Sequence, residues 1–315
     1  MGNAMDRICL LLTLTFKSFI TVVLSIKSAK LSYFATQIQH VNPSFKIQAT
    51  EINNETAQLF AEAGPMGISL AILDTSNCFR AVVTYSFTKR MNEPELAEEL
   101  HQILQNESIL QKQYTKTHLF WSFAESILVP TELFSPDTNN NMLNLIYGDA
   151  NQGIIKSDFL YKYSLHNIYR IPEKTQEYFT NKFPYATQTH QYTALVNRNF
   201  KAGNHLYCIF FSNSLTLMLW KEGKLQVIQN FEYSNPEDAA YHLLNVCKNF
   251  ELHPDAVSVH INGLIDEKSN LYAAIYNYFL NIEFDTLPAG FEYHDEIKDH
   301  PAHFFSHLFA LASCV

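Results

Sequence analysis

GPMGISLAILDTSNCFRAVVTYSF (residues 64–87) and NSLTLMLWKEGKLQVIQNFEY (residues 213–233) are one phrase written twice: an apolar strand, a polar turn, an apolar strand. In the second copy Leu215, Leu217 and Leu219 alternate with other residues, and so do Leu225 and Val227. That is the spacing of strands with a buried face. Between them Lys221-Glu-Gly-Lys224 reads as a tight hairpin, with Gly223 supplying the positive φ.

Each phrase runs into a matching helix start. Tyr85-Ser-Phe87 leads to Asn92-Glu-Pro-Glu-Leu96 and AEELHQIL; Phe231-Glu-Tyr233 leads to Asn235-Pro-Glu-Asp238 and AAYHLLNVCKNF. Proline in a first helical turn wastes no N–H bond, and acids suit the positive end of the helix dipole. Leu243, Leu244, Val246, Cys247 and Phe250 then recur at helical spacing. A further strand follows in each half, predicted over 118–129 (HLFWSFAESILV) and 256–264 (AVSVHINGL). The second half adds a helix over 270–280, a strand near 282–284 and a closing helix near 303–313, where Phe304, Leu308 and Leu311 form the expected buried stripe. Three antiparallel strands, helix, strand, helix, strand, helix is the order of an RNase-H-like unit. The expected fold class is therefore α/β: two tandem RNase-H-like units forming a two-lobed, actin-like body, with residues 51–200 as the first lobe plus an irregular connection and 201–315 as the second. Residues 130–200 read as irregular, with loops at SPDTNNN (135–141) and GDANQG (148–153).

Composition limits the rest. The chain has 315 residues, 47% hydrophobic and 17% charged, which is a globular balance. Its net charge of −9 excludes a nucleic-acid binder that works through bulk positive charge. Cys9, Cys78, Cys208, Cys247 and Cys314 contain no CxxC pair, so they read as reduced thiols of a reducing compartment rather than as a zinc or disulfide framework. Residues 1–50 stand apart, with five basic side chains and one acid; the remainder holds 17 basic and 30 acidic residues, a net of −13. Within them ICLLLTLTFKSFITVVLSI (8–26) is barely long enough to span a bilayer and carries Lys17 at its centre. It reads either as a membrane anchor or as an extension from too early a start codon. The expected location is cytoplasmic, or membrane-anchored if 8–26 is an anchor.

Several phrases, in order, carry a resemblance: SILVPTELF (126–134), NIYRIPEKTQEYFTNKFP (167–184), NFEYSNPEDAAYHLLNVCKNFEL (230–252), SVHINGLIDEKSNLYAAIYNYFLNIEF (258–284) and a closing HLFALASC. Over about 52–315 the chain resembles the Bacteroidetes family called domain of unknown function 3822. The resemblance implies an actin-like ATPase fold and no established activity.

An actin-like nucleotide site needs an acid at the first strand turn of each lobe, backbone N–H groups for the phosphates, and a late glycine pair for the adenosine. The first turn, Ala63-Gly64-Pro65-Met66-Gly67, has glycines but loses a donor at Pro65, and its nearest acid is Glu62. The second, Phe211-Ser212-Asn213-Ser214, has neither acid nor glycine. Asp74 falls at the next hairpin. Gly263 sits where an adenosine glycine belongs, with Asn262 in place of its partner; the plainer reading is a tight strand-to-helix turn. The candidate nucleotide residues are thus Gly64, Gly67, Ser212, Ser214 and Gly263. No catalytic residue, metal site or cofactor is assigned. His300, His303 and His307 would share one face of a continuous helix, but Pro301 argues for a helix start there. No GxSxG, Walker or Rossmann pattern occurs. The expected role is a non-catalytic binding or scaffold protein with an unidentified protein partner, engaged through the interlobe cleft or a face such as Tyr272, Tyr276 and Tyr278. The alternative is a nucleotide-binding switch or ATPase.

Overall fold

The structure, a computed structural model, describes residues 42–49, 52–53, 55–89, 91–149, 153–198 and 200–315. The apolar stretch at 8–26 lies outside the described residues. The first sheet begins with β1 (Phe45–Gln48), β2 (Gln58–Gly64), β3 (Gly67–Leu73), β4 (Cys78–Ser86) and β5 (Lys116–Trp121). β2, β3 and β4 form an antiparallel meander, and β5 joins β2 in parallel. At the β3–β4 turn Asp74 accepts hydrogen bonds from the Ser76 and Cys78 amides (2.8 and 3.0 Å) and from Arg80 Nε (2.6 Å). Helix α1 (Glu93–Asn106) follows, started by a capping box between Asn92 and Glu95 with Pro94 in its first turn. Leu96, Ala97, Leu100, Ile103 and Leu104 form its buried face.

Beyond α1, Glu107 is buried and ties distant segments together. It accepts from Lys46 Nζ at 2.9 Å, Tyr85 Oη at 2.6 Å and the Ile109 amide at 3.2 Å. Lys46 belongs to β1, which pairs with the edge of β4. The first sheet therefore starts before residue 51, where charge alone drew the boundary.

The middle region is more ordered than its composition suggested. β6 (Ser126–Pro130), β7 (Ile154–Leu160) and β8 (Leu165–Ile171) make an antiparallel sheet in the order β6-β8-β7. Helix α2 (Asn139–Tyr147) packs on it through Leu143 against Ile168, so Asn139–Asn141 open a helix rather than a loop. The predicted strand over 118–129 is two strands: it breaks after Trp121, and β6 enters this separate sheet. Helix α3 (Glu173–Lys182), β9 (Thr187–His190) and helix α4 (Gln191–Asn197) complete the first half, with β9 parallel to β5.

The second sheet contains β10 (His205–Phe210), β11 (Ser214–Lys221), β12 (Lys224–Glu232), β13 (Ser258–Gly263) and β14 (Asn281–Phe284) in the order β12-β11-β10-β13-β14. β13 and β14 run parallel to β10. The first sheet's core order, β4-β3-β2-β5-β9, is the same third-second-first-fourth-fifth arrangement. At the β11–β12 turn Glu222 and Gly223 both have positive φ (53° and 73°), as a tight two-residue hairpin requires. Helix α5 (Pro236–Asn249) is capped by Asn235, whose side chain accepts from the Asp238 amide at 2.9 Å. Helix α6 (Asn270–Tyr276), β15 (Glu292–Tyr293), helix α7 (Asp295–Lys298) and helix α8 (Ser306–Leu311) follow. The closing helix is thus shorter than predicted, with a 3-10 turn at Ala302–Phe304 before it. Its stripe also differs: Phe305, Leu308, Phe309 and Leu311 are buried, and Phe304 only partly.

The second sheet is covered by its own helices on one face and by a helix from the first half on the other. Leu206, Cys208, Leu217 and Ile261 pack with Leu243 and Val246 of α5 and Ile275 of α6. The other face of that sheet, with Ile209, Met218 and Trp220, is covered by Tyr192, Leu195 and Val196 of α4. Reciprocally, Phe305, Leu308 and Phe309 at the C-terminal end, with Tyr293 of β15, pack on Phe60, Phe79 and Phe120 of the first sheet. The two halves exchange helices.

Candidate functional site

Equivalent turns of the two halves meet in the middle. Pro65, Met66 and Gly67 come from the β2–β3 turn, and Phe211, Asn213 and Ser214 from the β10–β11 turn. Met66, Ser122 and Phe211 stand between two cavities and line both. The smaller holds about 40 Å³ and is walled by Phe210, Phe304, Phe305 and Leu308, with Gly67, Gly263, Glu62 and His307. The larger holds about 400 Å³ and opens towards β11, β12 and the three-stranded sheet.

Glu62 is the acid nearest the first turn, and it is 4% exposed. Burial pushes its carboxyl up to about 8, so at neutral pH it carries a proton. Its Oε1 accepts from Gln191 Nε2 at 2.7 Å. Its Oε2 has no hydrogen-bond partner and lies 3.8 Å from His307 Nε2. His307 is also buried. Burial, with the Arg198 charge adding to it, pulls its imidazole down to about 4. Both groups are therefore uncharged near pH 7, and the contact is that of a carboxylic acid facing a neutral imidazole.

Asn262 holds the other side of His307. Its Oδ1 accepts from Ser306 Oγ (3.0 Å) and the His307 amide (3.2 Å) and faces His307 Nδ1 at 3.3 Å. Its Nδ2 donates to Asp285 Oδ2 at 2.7 Å. An Nδ1–H pointed at Asn262 leaves Nε2 as the acceptor facing Glu62. This polar chain links β2, α4 and α8 to the ends of β13 and β14. In the sequence Asn262 registers only as the residue in a glycine's place, and Gln191 carries no motif at all.

The glycines answer to the backbone. Gly263 has φ +84°, and a Cβ there would lie 2.2 Å from the Phe210 carbonyl oxygen. A Cβ at Gly67, φ +130°, would lie 1.8 Å from the Tyr85 oxygen, and one at Gly64 2.2 Å from Ser122 Oγ. The structure brings Gly67 and Gly263 to the smaller cavity and Ser214 to the larger, and leaves Ser212 exposed on the turn. His300, His303 and His307 do not converge. His300 packs on Phe45, His303 Nε2 donates to the Ile265 carbonyl at 2.7 Å, and His307 joins the buried chain. Among the described residues no group of three or more His, Cys, Asp or Glu could hold a metal ion. Tyr272 stacks on Tyr276 and Phe284, leaving Tyr276 and Tyr278 as the exposed part of that face.

A duplicated five-stranded unit, with its paired turns facing each other and its terminal helices exchanged, defines an actin-like body. A family model described as "Protein of unknown function (DUF3822)" matches residues 47–282, and the chain belongs to that family. The fold is shared with a Bacteroides thetaiotaomicron protein described as having an actin-like ATPase fold and unknown function. That likeness has a TM-score of 0.66 at 19% identity and covers 84% of this chain and 100% of that one. A structure of the PilM–PilN type IV pilus biogenesis complex is similar with a TM-score of 0.54 at 10% identity, covering 81% and 97%. At these identities the likeness is one of fold. No curated protein matches the sequence. Among the described residues no helix is long and apolar enough to cross a membrane.

Proposed function

We propose that this chain is a non-catalytic, protein-binding member of the actin-like fold whose nucleotide position has been converted into an interlobe core. The observation that carries this is the smaller cavity: about 40 Å³ between the paired turns, against roughly 300–1,000 Å³ for sites that bury a small-molecule ligand. Its side chains point the same way. Glu62 is protonated and spent on Gln191, so it offers no carboxylate to metal-bound water. Phe210 and Phe211 precede a second turn without an acid, and the space around Gly263 is filled by the Phe210 backbone. These residues do not fit a magnesium–nucleotide pair. A protein partner is in keeping with the PilM–PilN complex as a neighbour in fold. A cytoplasmic setting is in keeping with Cys78, Cys208, Cys247 and Cys314, all free thiols.

The test is calorimetric titration of the full chain with Mg·ATP and Mg·GTP, beside a turnover assay. Neither binding nor turnover above a buffer blank is expected. Mg²⁺-dependent hydrolysis abolished by Glu62→Ala would overturn this reading in favour of a nucleotide-dependent switch.

A further inference from the structure

The larger cavity, about 400 Å³, is of ligand-binding size. Its apolar wall is Met66, Met91, Phe123, Pro172 and Phe211, and thioethers and rings of this kind suit a flat aromatic body. The start of β11 supplies a polar floor. Leu215 and Leu217 turn towards α5, so Ser214 and Thr216, one step out of phase, face the cavity. Thr216 Oγ1 accepts from Asn230 Nδ2 at 3.3 Å. Ser214 is 1% exposed, and among the described residues its Oγ has no hydrogen-bond partner; the adjacent Asn213 Oδ1 is likewise buried and unpartnered. Buried polar atoms left so are costly, and matching groups of an occupant would relieve them. The charges on the lining are already matched. Arg170, 4% exposed, donates to Glu125 Oε2 at 2.6 Å, Asn144 Oδ1 at 2.6 Å and Asn140 Oδ1 at 3.2 Å. Glu232 has a partner of its own. Glu93 is exposed in the first turn of α1, at the positive end of the helix dipole. A charged occupant would lose its water without meeting an unspent counter-charge. An uncharged one gives up less and meets two unspent polar atoms.

We infer that this cavity binds a small, uncharged aromatic amide. The ring lies against Met66, Phe123 and Phe211. An N–H of the amide donates to Asn213 Oδ1, and the Ser214 hydroxyl donates to the amide carbonyl. An amide answers both atoms at once because it carries a donor and an acceptor side by side. The inference goes beyond the protein-binding reading and does not depend on it.

The test titrates the full chain, carrying ¹³C-methyl methionine, with three probes that share one ring: indole-3-acetamide (uncharged), indole-3-acetate (an anion) and tryptamine (a cation). Of the methionines beyond residue 50, Met66 and Met91 line the cavity and Met142 and Met218 do not. Indole-3-acetamide is expected to shift the Met66 and Met91 methyl signals saturably, with half-saturation at roughly 1 mM or below, and to leave those of Met142 and Met218 in place. The acetate should bind at least tenfold more weakly and tryptamine severalfold more weakly. Ser214→Ala removes a hydroxyl that bonds to nothing in the free protein, so it should hold the melting midpoint while weakening the amide severalfold. Asn213→Ala should weaken it likewise. Absence of a saturable shift, shifts shared equally by Met142 and Met218, tryptamine or the acetate binding as tightly as the amide, or undiminished binding in the Asn213→Ala, Ser214→Ala double variant would each overturn the inference.

Discussion

Glu62 Oε2 lies 3.8 Å from His307 Nε2, and neither group is charged at neutral pH. Folding raises the Glu62 carboxyl from an ordinary 4.5 to about 8 by burial, so the folded state holds a proton that the unfolded chain releases. Its contribution to stability is full below 4.5 and is lost as pH rises towards 8. His307 and His190 act in the opposite sense: burial lowers both to about 4, so their contribution is lost as pH falls from 6.5 towards 4. Stability should peak between these limits. Glu62→Gln keeps the amide-compatible geometry without the ionisation. It should stabilise the fold by a few kcal/mol at pH 8.5, read as a higher calorimetric midpoint, by only about 1 kcal/mol at pH 5.5, and hardly at all at pH 4. A wild-type midpoint that is flat from pH 6 to 8.5 would refute the protonated-Glu62 assignment.

Gly263→Val should destabilise the second lobe by about 2 kcal/mol or more, because φ is +84° and the added Cβ would meet the Phe210 oxygen at 2.2 Å. Urea titration measures this. An unchanged transition would mean that the turn can move away from Phe210.

Glu107 is the anchor between β1 and the body of the first sheet. Burial pushes its carboxyl up, but hydrogen bonds from Tyr85, Lys46 and the Ile109 amide, with the Lys46 charge, hold it below the usual range. Its stabilisation is present above the unfolded value and is lost as pH falls through the folded one. Glu107→Ala leaves the buried Tyr85 hydroxyl without its acceptor, while the 41%-exposed Lys46 is resolvated, and should cost about 1–3 kcal/mol at pH 7, less at pH 3. Chemical denaturation at the two pH values would show it. An equal loss at both would point to packing alone.

How much of this was legible beforehand depends on which residues are considered. Alternation at Leu215, Leu217 and Leu219, and proline-marked starts at Pro94 and Pro236, revealed the duplication because those elements obey local periodicities. β7 escaped because Ile154–Leu160 is only partly buried along its length and shows no clean alternation. The run at 118–129 looked like one strand because its apolar character continues across a break where the chain leaves one sheet for another. Gly263 was conspicuous, but the reason for it, the Phe210 backbone, is a contact across 53 residues that spacing does not encode. His307 attracted notice as part of a histidine row. The row presumed one continuous helix, and its members sit on three different segments.

Phe309 is fully buried, with its ring 4.4 Å from Phe79 and 5.1 Å from Tyr293. Phe309→Ala should cost about 3–5 kcal/mol. Hydrogen exchange should speed up in β2, β3 and β4, more than 220 residues earlier in the chain. Faster exchange confined to α8 would mean that the contact is peripheral to the first sheet.

The same helix sets a timetable for synthesis. Ribosomes add roughly 5–20 residues each second, and domains ordinarily fold as they emerge. Here the apolar face made by Phe60, Phe79 and Phe120 waits for Phe305, Leu308 and Phe309, which are translated more than 180 residues after Phe120. Throughout that interval the nascent first half holds an unsealed face open to chaperones. A message truncated before residue 305 would release a chain that lacks part of the core of the half made first.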